Sequence, residues 1–437
     1  MAVITRFAPS PTGNLHIGSA RTALYSYLFA SNLGGKMLLR IEDTDRSRST
    51  QEATEVIING LKWLEIEWDG DIIYQSQRND RYVEIAKQLV DLGHAYYSTA
   101  DGDDKPAIRI KIPQDNEISF NDLVYGEMSF QPCDLNDFVI VRSDGVATYM
   151  LAVVVDDIDM NITHIIRGSD HISNTPKQII IYNYLKKIPP KFGHIPLIHD
   201  QSGQKLSKRK HPTSIMDYKE KGYLPIALRN YILRLGWNNI NASEFLSDEE
   251  MIEKFGIDGV GRSPAKFDLD KLNHINAHYI KELSFDELYS LTKVFIERNI
   301  ARNLSESDKL LLIKGYDEAK KVDTLLDSAR ILSYFTENYE FDLSQESADL
   351  INKNKDLLFD IKKFLNNADY ENFSESFKYF LKERSLKFGE IGPVLRSLMI
   401  GIPSSVNIGT LFQVIGKNEA LKRFSLVKKV LNLDIDN

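Results

Sequence analysis

Two stretches of the chain carry residues whose types and spacing suit the handling of phosphate. In "FAPSPTGNLHIGSARTAL" (Phe7 to Leu24), His16 and the glycines Gly13 and Gly18 sit in a small-residue loop between a β-branched run and a helical pattern. A loop of this kind ends on a helix N-terminus, where free N–H groups and the helix dipole favour an anion. The glycines admit close approach of backbone to a ligand, and an imidazole N–H can donate to a phosphate oxygen. The pattern is neither GxxxxGK[ST] nor GxGxxG, so those two mechanisms do not apply. In "QKLSKRKH" (Gln204 to His211), Lys205, Lys208, Arg209 and Lys210 bracket Ser207 after the polar turn "DQSGQ". Ammonium groups on long stems suit negative charge that develops during a reaction. Taken singly, each stretch has a plain alternative: a loop histidine satisfied by backbone, and an exposed basic loop.

The elements that must hold these residues alternate. "AVITRF" (Ala2 to Phe7) reads as a short buried strand, and Ala20, Leu24, Tyr27 and Leu28 share one face of a helix starting near Ser19. "KMLLRIE" (Lys36 to Glu42) predicts a second strand, and helices are predicted over Thr50 to Leu64 and Asp80 to Leu92. Such alternation implies a parallel sheet with helices on its faces. From Tyr96 the chain turns polar and turn-rich, with short alternating runs such as "AIRIKI", which predicts a small, mainly β insertion. Asp144-Gly145 signals a hairpin, and Leu151 to Val155 reads as a strongly apolar strand with Asp156 and Asp157 at its end, placed to cap the next turn. Strand and helix then alternate again through "ITHIIRG", the segment after Pro176, and "KFGHIPLIHD". Beyond about Leu224 nearly every segment has helical spacing.

With 437 residues the chain can bury several cores, and about three domains are expected. The first residues lack the pattern of a secretory leader and no apolar run reaches the length of a membrane span. The single cysteine, Cys133, cannot form an internal disulfide or a cysteine-rich zinc site. A cytoplasmic protein with no membrane partner is expected. A net charge of -8 argues against nucleic-acid binding through bulk charge but leaves room for a local basic surface. Lys417, Lys422, Arg423, Lys428 and Lys429 are candidates for one, or for a solvated helix face.

The pair "HIGS" and "KLSKR" in an α/β chain resembles the class I aminoacyl-tRNA synthetases. More closely, "RFAPSPTGNLHIGSART", "RIEDTD", "ATYMLAVVVDD", "IIRGSDHISNTPKQ" and "KLSKRKH" resemble the glutamyl-tRNA synthetases. "ALRNYILRLGW", "FDLDKLNHINAHYI" and "KFGEIGPVLRSLMIG" extend the resemblance, in order, over nearly the whole chain. It implies a doubly wound, Rossmann-like parallel-sheet catalytic domain with a small α/β insertion, followed by all-α domains. The expected divisions are 1–95 and 141–223 for the catalytic halves and 96–140 for the insertion contacting the tRNA acceptor end. Residues 224–304 would form a helical stem-contact region and 305–437 an anticodon-binding domain.

The resemblance also assigns roles. His16 and Gly18 would hold ATP, and Lys205 and Lys208 would steady its triphosphate; these are the catalytic candidates. Pro9, Thr12, Gly13, Leu206, Ser207 and Arg209 would complete the ATP site, with Asp170 and His171 near the adenosine. Arg6, Ala8, Ser10, Glu42, Tyr149 and Arg167 would bind glutamate. The two arginines suit a carboxylate that is held bidentately, and Glu42 suits the α-ammonium. Asp43 and Asp157 are candidates for tRNA contact. Without the resemblance, Glu42, Asp43 and Asp45 read as a solvated acidic turn.

The implied activity is ATP-dependent formation of glutamyl-adenylate and transfer to tRNA(Glu), with tRNA(Gln) the other possible acceptor. Mg²⁺ would accompany ATP, and a monomer is the family expectation. Many relatives carry Cys-x-Cys in the insertion; here "AYYSTADGDDKPAIRIKIP" is short and lacks cysteine, so zinc is not expected. A tRNA-binding paralogue without catalysis and a small-molecule adenylate-forming ligase are the rival classes. The intact motifs disfavour the first, and the long helical C-terminal half disfavours the second.

Overall fold

The computed structural model describes residues 2–45, 49–99, 105–114, 117–204, 214–403 and 406–433. The chain divides into two compact units, Met1–Ile275 and Asn276–Asn437.

The first unit is built on parallel strands. Strand β1 (Ile4–Phe7) leads through the glycine-containing loop into helix α1 (Ile17–Asn32), which returns the chain to β2 (Lys36–Ile41). β2 lies parallel to β1, with Arg6 opposite Leu38. Helix α1 begins two residues before the spacing predicted, because the His16 ring caps it by accepting the Ser19 N–H through Nδ1. It buries Ala20, Ala23, Leu24 and Leu28. Helix α2 (Gln51–Trp63), capped by Thr50, then reaches β3 (Ile73–Tyr74), which extends the sheet beside β2. Helix α3 (Asn79–Asp91) follows.

The insertion is made of antiparallel pieces. Strands β4 (Ala95–Ser98), β5 (Ala107–Ile110) and β8 (Phe138–Val141) form one small sheet, while β6 (Ile118–Asp122) and β7 (Gly126–Phe130) form a hairpin. The turn predicted at Asp144-Gly145 is present: Gly145 has a φ of 84°, and Arg142 N–H donates to Val146 O at 2.9 Å.

The expected strand Leu151–Val155 is instead part of helix α4 (Tyr149–Asp159). Every residue from Leu151 to Asp157 is buried. A continuous apolar run surrounded on all sides carries no periodicity that separates strand from helix. Asp156 and Asp157 therefore lie inside a helix and cap no turn.

Strand β9 (His164–Gly168), helix α5 (Thr175–Tyr184) and β10 (Lys191–Ile195) complete the nucleotide-fold pattern. β10 pairs parallel with β9, Arg167 opposite His194. Thr163, just before β9, bonds to β1: its N–H donates to Ile4 O at 2.9 Å, and its Oγ1 accepts the Ile4 N–H at 2.8 Å. The chain thus leaves β1 toward β2 on one side and β9 toward β10 on the other. Carboxyl strand ends that flank such a reversal form the crevice where open α/β sheets bind ligands.

Within the described residues the second unit is helical, running from Phe285–Asn299 to Ile408–Val430. Capping boxes at Ser284/Glu287 and Ser305/Asp308 set two of its helix starts. Phe373 stacks on Phe412 with ring centroids 4.1 Å apart, inside a cluster with Phe364, Phe377 and Phe380. Arg423, a candidate for a basic surface, is 1 % exposed and lies buried in this unit against Tyr334, Thr336 and Met399.

Candidate active site

The carboxyl ends of β1, β2 and β9 each deliver an arginine into the interior. Arg6, Arg40 and Arg167 are all 5 % exposed or less. Buried guanidinium groups need anionic or carbonyl partners, and α4 supplies them. Asp157 Oδ1 accepts from Arg6 Nε at 3.2 Å and from Arg40 Nη1 at 2.7 Å. Burial alone would raise Asp157, but Arg40 and Arg6 together hold its carboxyl below the ordinary range. Asp156, one residue earlier, accepts from Gln75, Arg78 and Tyr82. The two aspartates thus tie the helix to the sheet and to α3. Asp157 is 1 % exposed and so offers no surface to tRNA; the expected tRNA contact is replaced by this anchoring role.

Arg40 also donates to Glu42 Oε1 at 3.2 Å, and the Glu42 N–H donates to Pro9 O at 3.0 Å. The end of β2 is therefore tied to the loop after β1. Burial raises the Glu42 carboxyl, opposed by Arg40 and Arg6. Asp43 is half-buried and accepts both the N–H and the hydroxyl of Ser76, at 2.7 and 2.6 Å.

Arg167 is held on two of its three nitrogens. Nε donates to His194 Nε2 at 3.1 Å and Nη2 to Thr175 Oγ1 at 2.8 Å, while Nη1 is buried with no partner. The guanidinium lies 5.3 Å from the Phe192 ring centroid. Burial lowers its affinity for the proton, with Tyr149, Arg6, Asp157 and Glu42 contributing through their charges. Tyr149, at the first turn of α4, feels Glu42, Arg167 and Arg6 in turn, and burial raises its hydroxyl. The expected glutamate-site residues Arg6, Glu42, Tyr149 and Arg167 are brought together by four separate elements. Ala8 and Ser10 lie on the adjoining loop, where Ser10 is exposed.

His171, expected near the adenosine, has its Nδ1 3.0 Å from the Tyr149 hydroxyl. Burial and then the Arg167 charge push it down to about 4. Asp170 is exposed and folds over Gly168.

Around the nucleotide motif, Thr12 and Gly13 are exposed, and a Cβ built on Gly13 would meet nothing within 4 Å. A Cβ on Gly18 would meet the His16 ring at 3.1 Å, so the glycine leaves that ring its place. Lys205, Leu206, Ser207, Lys208 and Arg209 lie outside the described residues. Their flanks are described: Asp200 N–H donates to Gln204 O at 2.7 Å, and Ser214 forms a β-bridge with His16. The Ile215 N–H donates to Leu15 O at 2.9 Å. The chain after the second motif is therefore stitched to the first.

Several residues at the site were assigned no role from the sequence. Arg40 had a visible signal, a charge inside the apolar strand "KMLLRI". Gln178 and Tyr182 sit one turn apart on α5; the Gln178 side chain reaches the Tyr149 hydroxyl, and the Tyr182 hydroxyl is buried without a partner. Thr175, His194 and Asp122 were silent because their bonds cross the fold. Unsatisfied buried polar atoms are rare in native proteins, and several gather here around two arginines. The arrangement suits a small ligand carrying carboxylate and ammonium groups. Among the described residues no cluster of three or more His, Cys, Asp or Glu side chains is placed to hold a metal, and no helix is long and apolar enough to cross a membrane.

Comparison with known proteins agrees with this geometry. The family model "tRNA synthetases class I (E and Q), catalytic domain" matches residues 2–104 and 97–274, and "Anticodon binding domain" matches residues 307–427. Glutamate–tRNA ligase 2 of Wolbachia pipientis (subsp. Culex pipiens) is 42 % identical, with 97 % of this chain and 99 % of that protein covered. Glutamate–tRNA ligase 2 of Rickettsia felis is 41 % identical with the same coverage. The crystal structure of a glutamate tRNA ligase from Elizabethkingia meningosepticum, in complex with its amino acid, superposes with a TM-score of 0.84 at 26 % identity, covering 99 % of this chain and 100 % of that one. Over its catalytic sheet, its helical second unit and nearly its full length, the chain belongs to the glutamate–tRNA ligases of the class I tRNA synthetases.

Proposed function

We propose that the chain joins L-glutamate to tRNA(Glu) at the expense of ATP, with Arg6, Glu42, Tyr149 and Arg167 binding the amino acid. The observation that carries the site assignment is the buried, unpartnered Nη1 of Arg167, in a cluster with Arg6 and the carboxylate of Glu42. The glutamate side-chain carboxylate takes the free guanidinium N–H groups, and Glu42 accepts from the α-ammonium. The α-carboxylate oxygen then attacks the α-phosphorus of Mg²⁺-bound ATP. The bond to the bridging oxygen breaks and pyrophosphate leaves. A ribose hydroxyl at the tRNA terminus attacks the acyl carbon, and AMP departs. This chemistry asks for positioning and charge neutralisation more than for a protein nucleophile. His16 and Gly18 at the start of α1 face the nucleotide, with Pro9, Thr12 and Gly13 beside them; Lys205, Lys208 and Arg209 neutralise the triphosphate, and Ser207 completes the site. The match of the anticodon-binding family model to residues 307–427 supports tRNA as acceptor.

The reading carries with it a monomeric cytoplasmic enzyme that uses no zinc. The test is aminoacylation of purified tRNA(Glu) and tRNA(Gln), each alone, with Arg6→Ala as the site variant. Transfer to tRNA(Glu) is expected, with the Arg6→Ala protein impaired in glutamate KM or turnover. Transfer to neither tRNA by the parent chain would refute the function, and an unimpaired Arg6→Ala protein would refute the site. One tightly held zinc per chain in metal analysis would refute the zinc-free reading.

A further inference from the structure

Arg167 does not stand in its pocket unaided. Its Nε donates to His194 Nε2 at 3.1 Å, and His194 Nδ1 lies 2.6 Å from Asp122 Oδ2. The Asp122 and His194 side chains are both fully buried. Asp122 ends strand β6 of the insertion, 72 residues away from His194 in sequence. Its Oδ1 accepts the N–H groups of Val124 and Tyr125 at 2.9 and 3.0 Å, and its carboxylate accepts the His194 N–H. The Leu123 N–H donates to Phe192 O at 2.8 Å, so the hairpin is fastened onto β10.

The donors and acceptors determine the state of the imidazole. A carboxylate only accepts and a guanidinium only donates. His194 must therefore carry its proton on Nδ1, facing Asp122, and offer the Nε2 lone pair to Arg167 and to the Thr175 hydroxyl, each 3.1 Å away. The neutral ring in that one tautomer fits; a protonated ring, or the other tautomer, would set an N–H against an N–H.

We propose that Asp122 and His194 are positioning residues for the reaction: Asp122 fixes the His194 tautomer, and the Nε2 lone pair aims the Arg167 guanidinium at the substrate carboxylate. Neither touches substrate. The insertion thereby contributes a residue to amino-acid recognition. This rests on the reading of Arg167 as a glutamate-binding residue.

The charged and titratable groups acting on His194 are Asp122 from β6, Arg167 from β9 and Arg6 from β1, with His171 also coupled to it. Burial lowers His194 first, the Asp122 bond opposes this, and the Arg167 charge lowers it further. The neutral ring thus holds at neutral pH, and its protonation requires more acid than that of a free imidazole.

The experiment measures KM for glutamate and for ATP in aminoacylation of tRNA(Glu), across pH, for the parent chain and for Asp122→Asn, His194→Ala and His194→Gln. In Asp122→Asn an amide N–H₂ replaces the acceptor facing Nδ1 and forces the other tautomer; glutamine keeps one donor and one acceptor and does not titrate. Asp122→Asn and His194→Ala are expected to raise glutamate KM about tenfold or more at unchanged ATP KM. His194→Gln is expected to restore it to within a few-fold and to abolish the rise in glutamate KM that the parent shows as pH falls into the acid range. Glutamate KM unchanged in both disruptive variants would overturn the proposal. So would equal rises in both KM values, or a pH dependence that persists in His194→Gln and therefore belongs to His171. A parent chain that transfers no glutamate would refute the functional reading beneath it instead.

Discussion

Arg167 in the first unit and Arg423 in the second are both guanidinium groups taken almost wholly out of water, at 5 % and 1 % exposure. Their surroundings differ in one respect. Every nitrogen of Arg423 is used: Nε on Glu419, Nη1 on the carbonyls of Tyr334 and Met399, and Nη2 on the carbonyl of Thr336. Those carbonyls lie where two helices end, Leu325–Ser333 and Phe388–Ile400, and a cation there meets unpaired C=O groups and the negative end of each dipole. Arg423 is finished within the protein. Arg167 keeps one buried nitrogen, Nη1, unpartnered, with the unpartnered Tyr182 hydroxyl nearby. Burial alone therefore says nothing about function. A buried charge with an incomplete set of bonds, set among other charged and polar groups left open, offers a ligand the remaining bonds.

Substitutions can break this contrast. The largest effect is expected for Arg167→Met. Glutamate kcat/KM is expected to fall about a thousandfold, on the order of 4 kcal/mol, because a charge-assisted carboxylate contact is lost. Stability is expected to hold or improve, since an incompletely paired buried charge is removed. Steady-state kinetics and urea denaturation read the two quantities. A kcat/KM within tenfold of the parent would erase the distinction between the two arginines.

Arg423→Met is expected to show the reverse. Several backbone carbonyls lose their donor, and unfolding free energy is expected to drop by about 3 kcal/mol in urea titration. Glutamate KM is expected to stay at the parent value.

Asp157→Asn tests the anchoring that Arg6 and Arg40 share. A loss of about 2 kcal/mol is expected at neutral pH, together with a higher glutamate KM as Arg6 loses its support. The pH dependence has a definite sign. Asp157 is depressed by Arg40 and Arg6 against the effect of burial. Its contribution to stability is therefore present above the unfolded value near 4 and is lost as pH falls through the lower folded value. Denaturation midpoints from pH 6 down to about 2 are expected to decline less steeply in Asp157→Asn than in the parent. An identical decline would place the acid sensitivity elsewhere, with Asp308, held low by Arg302 and by the Ser305 and Glu337 N–H groups, the next group to examine.

The smallest effect is expected for Tyr182→Phe. Removing a buried hydroxyl that has no partner changes stability by less than about 1 kcal/mol, in the favourable direction. If that hydroxyl meets the amino acid, glutamate KM rises a few-fold at constant ATP KM. A clear loss of stability would show that the hydroxyl has a partner in the folded protein and would remove it from the site.

The loop before helix α1 and the strand–helix alternation were legible because residue type constrains them locally, whereas Arg6, Glu42, Tyr149 and Arg167 were singled out by the resemblance to the glutamyl-tRNA synthetases. Gly13 and Gly18 keep space open, Arg6 and Arg167 carry the charge a carboxylate requires, and helix α1 follows from its apolar spacing. Helix α4 was not legible. Leu151 to Val155 are apolar whichever way the backbone turns, and only packing on all sides selects the helix. That one error also displaced Asp156 and Asp157 from a helix interior to a strand end, and so hid their anchoring role. Arg423 looked like a surface charge for the related reason that a cation in a basic stretch carries no mark of the carbonyls it will meet.

By itself the sequence determined the kinds of chemistry available and the short-range elements that could carry them: a loop that ends on a helix N-terminus, a lysine-rich motif, arginines on buried strands. Only the tertiary structure decided which nitrogen of Arg167 is left over, which tautomer His194 must adopt, and that an aspartate of the insertion bonds to the histidine behind Arg167. Those outcomes depend on bonds between residues tens to more than a hundred positions apart, as from Asp122 to His194 and from Arg6 to Asp157. Hydrogen bonds act over about 3 Å, and no local pattern specifies which distant partner will be brought that close.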